Sequence, residues 1–207
     1  MSQIYTTQNL SYEINNRKII REVTCSIEEG ITVIKGPNGA GKTTFLKLLF
    51  GMMHPTSGKV VRHFNAKNTE ISFVFQEPIF LNRSVEDNLK HVLYCKSIKK
   101  KDWNKIIYNI VTEYSLEHVL KSQIKDLSGG ELQLLSLIRS MIIKPSILLY
   151  DEPTNNLDGS NIELVTKIIK DINNQGLSLI MVSHSSILDN IMSYNQLSFQ
   201  NGSIIDE

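Results

Sequence analysis

Gly36-Pro37-Asn38-Gly39-Ala40-Gly41-Lys42-Thr43-Thr44 is the stretch of the sequence that decides the fold. It follows a short apolar run at residues 32–35 and opens a segment with helical character at residues 43–51. Glycines in this arrangement let successive backbone N–H groups converge on one point, and the start of a helix adds positive partial charge there. The pattern G-x-x-x-x-G-K-[ST] between a strand and a helix therefore predicts a phosphate-binding loop.

All residues of this loop, from Gly36 to Thr44, are candidate contacts to a bound nucleotide. Lys42 is predicted to reach the β- and γ-phosphates, and the Thr43 hydroxyl is predicted to bind Mg²⁺. A simple glycine turn is the structural alternative, but a match of this kind arises by chance in roughly one sequence in a hundred. The loop alone fits a kinase, a GTPase and a transport ATPase.

Short apolar runs alternate with helical patterns along the chain. The runs that end in polar or glycine-containing turns, as buried parallel strands do, are residues 32–35, 71–75, 146–150 and 177–182. Turn residues at 15–17 and at Asn201-Gly202 each lie between two β-type runs, which predicts an antiparallel hairpin near each end of the chain. We therefore predict an α/β fold with a mostly parallel core sheet and an N-terminal antiparallel β subdomain.

A helical segment interrupts this alternation between residues 84 and 120. Its apolar side chains fall at i, i+3, i+4, i+7, i+8 and i+11, and they are Trp103, Ile106, Ile107, Ile110, Val111 and Tyr114. That spacing places them on one face of a helix that packs against the protein. We predict a helical subdomain at about residues 79–143, inserted into a single domain that covers residues 1–207.

The composition excludes some classes of protein. The chain has 207 residues, enough for one apolar core, and its 22 Lys and Arg against 21 Asp and Glu give a formal net charge of +1. This balance gives no field that requires nucleic acid or an anionic membrane as partner. Cys25 and Cys95 lack the spacing of a metal or redox site, and both are interpreted as small buried side chains. No apolar run is long enough to cross a bilayer, so any work at a membrane needs another chain.

Two acids follow the apolar run at residues 146–150, at the end of a strand where an open α/β sheet presents its ligands. Asp151 is predicted to hold Mg²⁺, because a hard cation prefers oxygen ligands. Glu152 points in a different direction and is the candidate base that orients the attacking water. Capping of the next turn is the structural alternative for this pair.

Leu127-Ser128-Gly129-Gly130-Glu131 precedes the acidic strand and opens an apolar helical segment at residues 132–141. Ser128 and the N–H groups of Gly129 and Gly130 lie at a helix N-terminus, which predicts a second anion site. With this motif, essentially the whole chain resembles the ATP-binding-cassette (ABC) ATPases, and specifically the ATP-binding subunit of a transporter. The resemblance implies the P-loop NTPase fold of that family and hydrolysis of ATP with Mg²⁺.

The same resemblance implies roles for further residues. Tyr12 would stack on adenine, and Gln76 would contact both Mg²⁺ and the attacking water. His184 would contact the γ-phosphate, as a catalytic residue beside Lys42, Gln76 and Glu152. Asp158 would contribute to the nucleotide site from the loop that crosses the dimer interface. Two departures from the family pattern stand out: Leu134 replaces an arginine, and Asn155 with Asn156 replaces two small residues.

Partners also follow from the resemblance. Ser128, Gly129 and Gly130 would serve the ATP of a second cassette, in a homodimer or a heterodimer. A transmembrane permease would bind the pair at the inner face of the cell membrane, with the cassettes in the cytoplasm and without nucleic acid. The alternative is a non-transport ABC protein, associated with translation and ribosomes or with DNA repair. Cassette proteins of translation resemble two cassettes in tandem, whereas this chain has one. DNA-repair cassettes have a long coiled coil between the phosphate loop and the signature motif, and the segment before Ser128 has no room for it.

Overall fold

The computed structural model describes residues 2–64, 69–153, 159–183 and 193–205. The strands are β1 Gln3–Ile14, β2 Arg17–Glu28, β3 Ile31–Lys35, β4 Ser57–Arg62, β5 Ile71–Val74, β6 Ile147–Asp151, β7 Ser178–Val182, β8 Asn195–Gln200 and β9 Ser203–Ile205. The helices are α1 Lys42–Phe50, α2 Val85–Cys95, α3 Lys100–Glu113, α4 Gly129–Met141 and α5 Gly159–Asn174. Two short 3₁₀ turns join α3 to α4.

The strands form two sheets, which confirms the predicted fold class. Six strands in the order β5-β6-β7-β3-β8-β9 make the core sheet, in which all neighbours run parallel except the final β8–β9 hairpin. The order β2-β1-β4 makes a separate antiparallel sheet. The sequence pattern did not predict β4, because its two adjacent valines do not alternate with polar residues. Pairing of β4 with β1 makes it a strand.

Two apolar clusters cover the two faces of the core sheet. In β6, Leu148 and Tyr150 point into a cluster shared with the helices α2 to α5, whereas Ile147 and Leu149 point into a cluster shared with α1 and the antiparallel sheet. Every residue of β6 is buried, because successive side chains point to opposite faces and both faces are covered. The phosphate loop and its helix α1 therefore lie in one layer, and α4 lies in the other.

The helical region matches its predicted periodicity. In α3, Ile107 and Val111 are buried and Trp103, Ile106 and Ile110 pack against the same cluster. Among the described helices, none combines the length and the apolarity that crossing a bilayer requires. The interpretation of both cysteines as buried was wrong for Cys95, which α2 exposes to solvent, while Cys25 is half-buried.

Candidate functional site

The phosphate loop connects β3 to α1 and is shaped by close contact with β8. Gly36 has φ 144°, and a Cβ atom on it would lie 2.1 Å from the Phe199 carbonyl oxygen. A side chain is therefore impossible there without moving β8. Ala40 N–H donates to the Pro37 carbonyl oxygen at 3.2 Å, which closes the turn before the helix.

Lys42 lies inside the loop and is 5% exposed. Its Nζ donates to the carbonyl oxygens of Gly36 at 2.9 Å and Pro37 at 2.8 Å. Burial lowers the pKa of Lys42 from its ordinary value, and the nearby carboxylates of Glu152 and Asp151 oppose that shift. The loop thus holds a buried cation close to both acids.

Asp151 ends β6 and joins the first turn of α1. The Thr43 hydroxyl donates to Asp151 Oδ1 at 3.0 Å, so the structure brings together two of the residues predicted to hold Mg²⁺. The Asp151 side chain is buried, with 2% of the residue exposed. Burial raises the pKa of Asp151 above its usual value and Glu152 adds to the rise, while the Thr43 hydrogen bond and two lysines lower the pKa.

Asp151→Asn is expected to stabilise the nucleotide-free protein. A carboxyl whose pKa is raised by folding favours the folded state while protonated, and loses that contribution as the pH rises through the folded pKa. At neutral pH the ionised Asp151 is therefore a cost to the fold, and a neutral asparagine that still accepts from Thr43 removes it. We expect the Tm of Asp151→Asn to exceed that of the wild type by a few degrees at pH 7.5, as for other stabilising changes at functional sites.

The gain is expected to shrink as the pH falls towards about 4, the ordinary pKa of aspartate. Thermal melts across this pH range measure it, with Asp126→Asn in a 3₁₀ turn as the matched control. A Tm that falls at pH 7.5 would contradict the argument.

Glu152 and Gln76 also lie in contact, although the sequence analysis assigned them only separate roles towards the water. Gln76 Nε2 donates to Glu152 Oε2 at 3.3 Å, which links the ends of β5 and β6. Glu152 has φ 56° and its N–H donates to the Val182 carbonyl oxygen at 3.0 Å. This left-handed conformation turns Glu152 away from the direction of the strand, so the two adjacent acids face different neighbours.

The second predicted anion site lies at the start of α4. This helix begins at Gly129, three residues before the apolar segment that predicted it, and Ser128 is its N-cap. Ser128 N–H donates to Glu131 Oε2 at 2.8 Å, and Glu131 N–H donates to Ser128 Oγ at 3.3 Å, which completes a capping box. The Ser128 N–H and hydroxyl both donate to the Glu131 carboxylate, and these two hydrogen bonds hold the pKa of Glu131 below its usual value. Ser128 therefore has a capping role in addition to the predicted nucleotide contact.

The two glycines after Ser128 have different surroundings. A Cβ atom on Gly130 would lie 2.2 Å from Asn161 Nδ2 in α5, whereas no atom of the described residues lies within 4 Å of such an atom on Gly129. Gly130 thus allows α4 to approach α5. The Ser128–Gly130 segment and the phosphate loop belong to opposite layers of the same chain.

Tyr12 lies near the end of β1, where it pairs with Ile20 of β2 and packs against the apolar cluster that contains α1. Ile20 in turn contacts the loop, because its Cδ1 lies 2.9 Å from the Cβ position of Gly41. Ile20 therefore lies between Tyr12 and the phosphate loop. Its predicted contact with adenine stays a prediction.

Several predicted positions lie outside the described residues. They are His184, Asp158 and the departures Asn155 and Asn156. The other departure, Leu134, is 2% exposed and packs in the cluster that contains α2 to α5. This position contributes apolar packing, where the family pattern has a charge.

Contacts around α4 were missed by the sequence argument. Buried Gln133 donates to the Tyr150 hydroxyl at 3.4 Å. Arg139 Nη1 donates to the Ile79 carbonyl oxygen at 2.7 Å, and its guanidinium lies 4.3 Å from the centre of the Phe80 ring. The signal available in the sequence was the presence of Gln133 and Arg139 in a mainly apolar helical segment. Both contacts tie α4 to the strand ends that carry Gln76 and Asp151.

Comparison with known proteins identifies a matching family model and similar proteins. A family model described as ABC transporter matches residues 20–155. The chain is 34% identical over 185 residues to the lipoprotein-releasing system ATP-binding protein LolD of Buchnera aphidicola, covering 82% of this chain and 81% of the relative. It is 33% identical over 189 residues to the zinc import ATP-binding protein ZnuC of Wigglesworthia glossinidia brevipalpis, covering 89% and 77% respectively.

A solved structure has the same fold. It is an ATP-binding cassette, a dimer in a post-hydrolysis state bound to ADP and Pi. It superposes with a TM-score of 0.83 at 21% identity, covering 98% of this chain and 97% of that chain.

Proposed function

This chain belongs to the ABC transporter family, and we propose that it binds and hydrolyses ATP to energise solute transport by a separate membrane permease. One observation carries the hydrolytic part of this proposal. The Thr43–Asp151 and Gln76–Glu152 hydrogen bonds bring the phosphate loop, the acidic pair and the glutamine to one edge of the core sheet. This is the edge at which an open α/β sheet binds its ligands.

The donor set fits Mg²⁺. Thr43 offers a hydroxyl oxygen, Asp151 a carboxylate and Gln76 an amide oxygen, and a hard divalent cation prefers oxygen ligands. Burial raises the pKa of Asp151, and a divalent cation beside it would favour the ionised carboxylate. When bound, Mg²⁺ would neutralise charge on the β- and γ-phosphates of the substrate.

The chain's own residues divide the remaining work. The N–H groups of residues 36–44 hold phosphate oxygens, and Lys42 exchanges the Gly36 and Pro37 carbonyls for the β- and γ-phosphates. Glu152 orients the attacking water and accepts its proton, while Gln76 holds the Glu152 carboxylate in place. Tyr12 stacks on the adenine. His184 contacts the γ-phosphate in this scheme, by its resemblance to the family position.

The complete site needs two chains. The Ser128–Gly130 segment lies in a different layer from the phosphate loop, and in this scheme it contacts the ATP of a second cassette. Asp158 would lie at the interface between the two cassettes. That cassette is a second copy of this chain or a related one. The superposed cassette is a dimer bound to ADP and Pi, which supports this arrangement.

Coupling to transport follows from the helices. In this proposal the chain is one domain, residues 1–207, whose helical subdomain at about residues 79–143 docks on the permease at the cytoplasmic face of the membrane. Arg139 supports the coupling, because it joins α4 to Ile79 and Phe80, just beyond Gln76. The relatives named for lipoprotein release and zinc import favour transport over a cassette of translation or DNA repair.

Affinity purification from detergent-solubilised membranes tests the transport role. We expect the tagged chain to recover a protein with several membrane-spanning helices, identified by mass spectrometry, and to recover it in the presence of nuclease. The matched control carries Arg139→Ala, which loosens the link to Ile79 and Phe80, and we expect it to recover less of that protein. Recovery of ribosomes or DNA-bound proteins instead would favour the alternative.

A further inference from the structure

The turn between β8 and β9 touches the phosphate loop through its backbone. Gly202 N–H donates to the Ala40 carbonyl oxygen at 3.0 Å, and the Gly202 carbonyl oxygen accepts from Arg21 N–H at 2.8 Å. Ser203 adds a hydrogen bond from its hydroxyl to the Arg21 carbonyl oxygen at 3.3 Å. The turn therefore bridges the loop on one side and β2 on the other.

The fit at Gly202 leaves no room for a side chain. Its φ is 84°, and a Cβ atom there would lie 2.5 Å from the Ile19 carbonyl oxygen. On the loop, a Cβ atom on Gly41 would lie 2.8 Å from that same Ile19 oxygen and 3.8 Å from Gly202 Cα. Backbone atoms cannot rotate away as a side chain does, so the loop, β2 and the hairpin constrain one another.

The hydrogen bond to Ala40 has a directional consequence. The Ala40–Gly41 peptide is trans, and in a planar trans peptide the C=O and N–H bonds point in opposite directions. Because Gly202 holds the Ala40 carbonyl oxygen towards the hairpin, the Gly41 N–H must point away from the hairpin. Gly41 is the N-cap of α1, so its N–H is one of the donors at that helix N-terminus, where phosphates bind.

We infer that Gly202 is a positioning residue for phosphate binding: its N–H orients the Ala40–Gly41 peptide so that the Gly41 N–H faces the bound phosphates. The inference rests on the proposed placement of phosphates in the loop. Gly202 itself does not touch the nucleotide. A preset donor avoids the cost of reorienting a peptide when the ligand arrives, so the effect falls on affinity for nucleotide more than on the chemical step.

Gly202→Ala tests the inference, with Gly176→Ala as its matched control. Gly176 also has positive φ, at 75°, but within the described part of the chain nothing lies within 4 Å of its Cβ position in the turn between α5 and β7. Both variants suffer the strain of a left-handed alanine, and Gly202→Ala adds the close approach to the Ile19 carbonyl oxygen, so it is expected to lose more thermal stability than Gly176→Ala. Only Gly202→Ala is expected to bind a fluorescent ADP analogue about tenfold more weakly.

Steady-state kinetics separate positioning from general damage. For Gly202→Ala we expect a higher KM for ATP with a kcat close to that of Gly176→Ala, measured below the melting range of both variants. Equal ADP affinity in the two variants would overturn the inference.

A measurement on the wild type covers the case in which Gly202→Ala does not fold. With ¹⁵N-glycine labelling, saturating ADP is expected to shift the Gly202 and Gly41 amide resonances together and leave Gly176 in place. A Gly202 resonance that stays still while Gly41 moves would overturn the inference. Lys42→Ala separates a failure of the proposed phosphate site from a failure of the role of Gly202. Undiminished ADP binding by Lys42→Ala would contradict the phosphate site itself. Loss of ADP binding in Lys42→Ala together with normal binding by Gly202→Ala would contradict only the role of Gly202.

Discussion

Lys42→Ala is expected to reduce nucleotide affinity by at least about a hundredfold, because charge-assisted hydrogen bonds to phosphate are among the strongest that a protein makes. Lys42 is the buried cation of the loop, and its two carbonyl partners belong to the loop itself. Removing the side chain deletes the positive charge from the place where the β- and γ-phosphates are proposed to lie. Titration with a fluorescent ADP or ATP analogue measures the loss.

Lys59→Ala is the control for a general effect of charge, because Lys59 is exposed on β4. This variant is expected to bind nucleotide as the wild type does. Wild-type affinity in Lys42→Ala would contradict the assignment of the loop. A melting curve of each variant in the absence of nucleotide shows whether the loss is local.

Lys42→Ala also tests whether two copies of the chain pair, when it is mixed with Gly129→Asp. A Cβ atom at position 129 meets no atom of the described residues within 4 Å, so the new side chain can be accommodated there, and its carboxylate would repel a triphosphate brought by a partner. A mixed dimer has one intact site, formed by the loop of one chain and the Ser128–Gly130 segment of the other. Random pairing then restores about a quarter of wild-type turnover per chain from two inactive variants. No recovery would contradict pairing between copies of this chain.

Glu152→Gln is expected to bind ATP but to hydrolyse it about a hundredfold to ten-thousandfold more slowly, the range expected for loss of a general base. The amide has the same shape and can still accept the hydrogen bond from Gln76, so the geometry at the end of β6 is preserved. It cannot accept a proton from water. Because hydrolysis is proposed to open the pair, the variant is also expected to accumulate as an ATP-bound dimer.

Phosphate release and size-exclusion chromatography with ATP measure these two effects. Glu77→Gln is the matched control, because Glu77 is an exposed acid next to Gln76, and it is expected to behave as the wild type. Turnover at the wild-type rate would remove Glu152 from its proposed role. Slow turnover without a dimer would separate the chemistry from the pairing.

Most of the predicted elements correspond to observed ones, and the differences have physical causes. The run at residues 146–150 was recognisable because β6 is covered on both faces, and its residues before Asp151 are apolar. β4 was missed because its strand character comes from pairing with β1 rather than from its own pattern. Cys95 was placed inside because composition favours burial of cysteine, whereas its position on α2 decides its exposure.

The candidate site divides in the same way. The roles proposed for Lys42, Thr43, Asp151 and Glu152 could be derived from residues that are adjacent in sequence. The capping box of Ser128 and Glu131 was also readable, since the S-x-x-E pattern is local. The contacts of Gly130 with Asn161 and of Arg139 with Phe80 were not readable, because each joins two elements that only packing brings together.

The sequence by itself determined the features whose physics is local: a glycine-rich turn before a helix, an acidic pair after a buried strand and a capped helix start. The tertiary structure alone decided which distant groups meet, including the Gly202 turn that holds the Ala40 carbonyl oxygen. The reason is that the order β5-β6-β7-β3-β8-β9 places β8 directly beside β3, the strand that leads into the loop, with β9 on the far side of β8. Strand order follows from burying two apolar faces at once, and no stretch of consecutive residues encodes it.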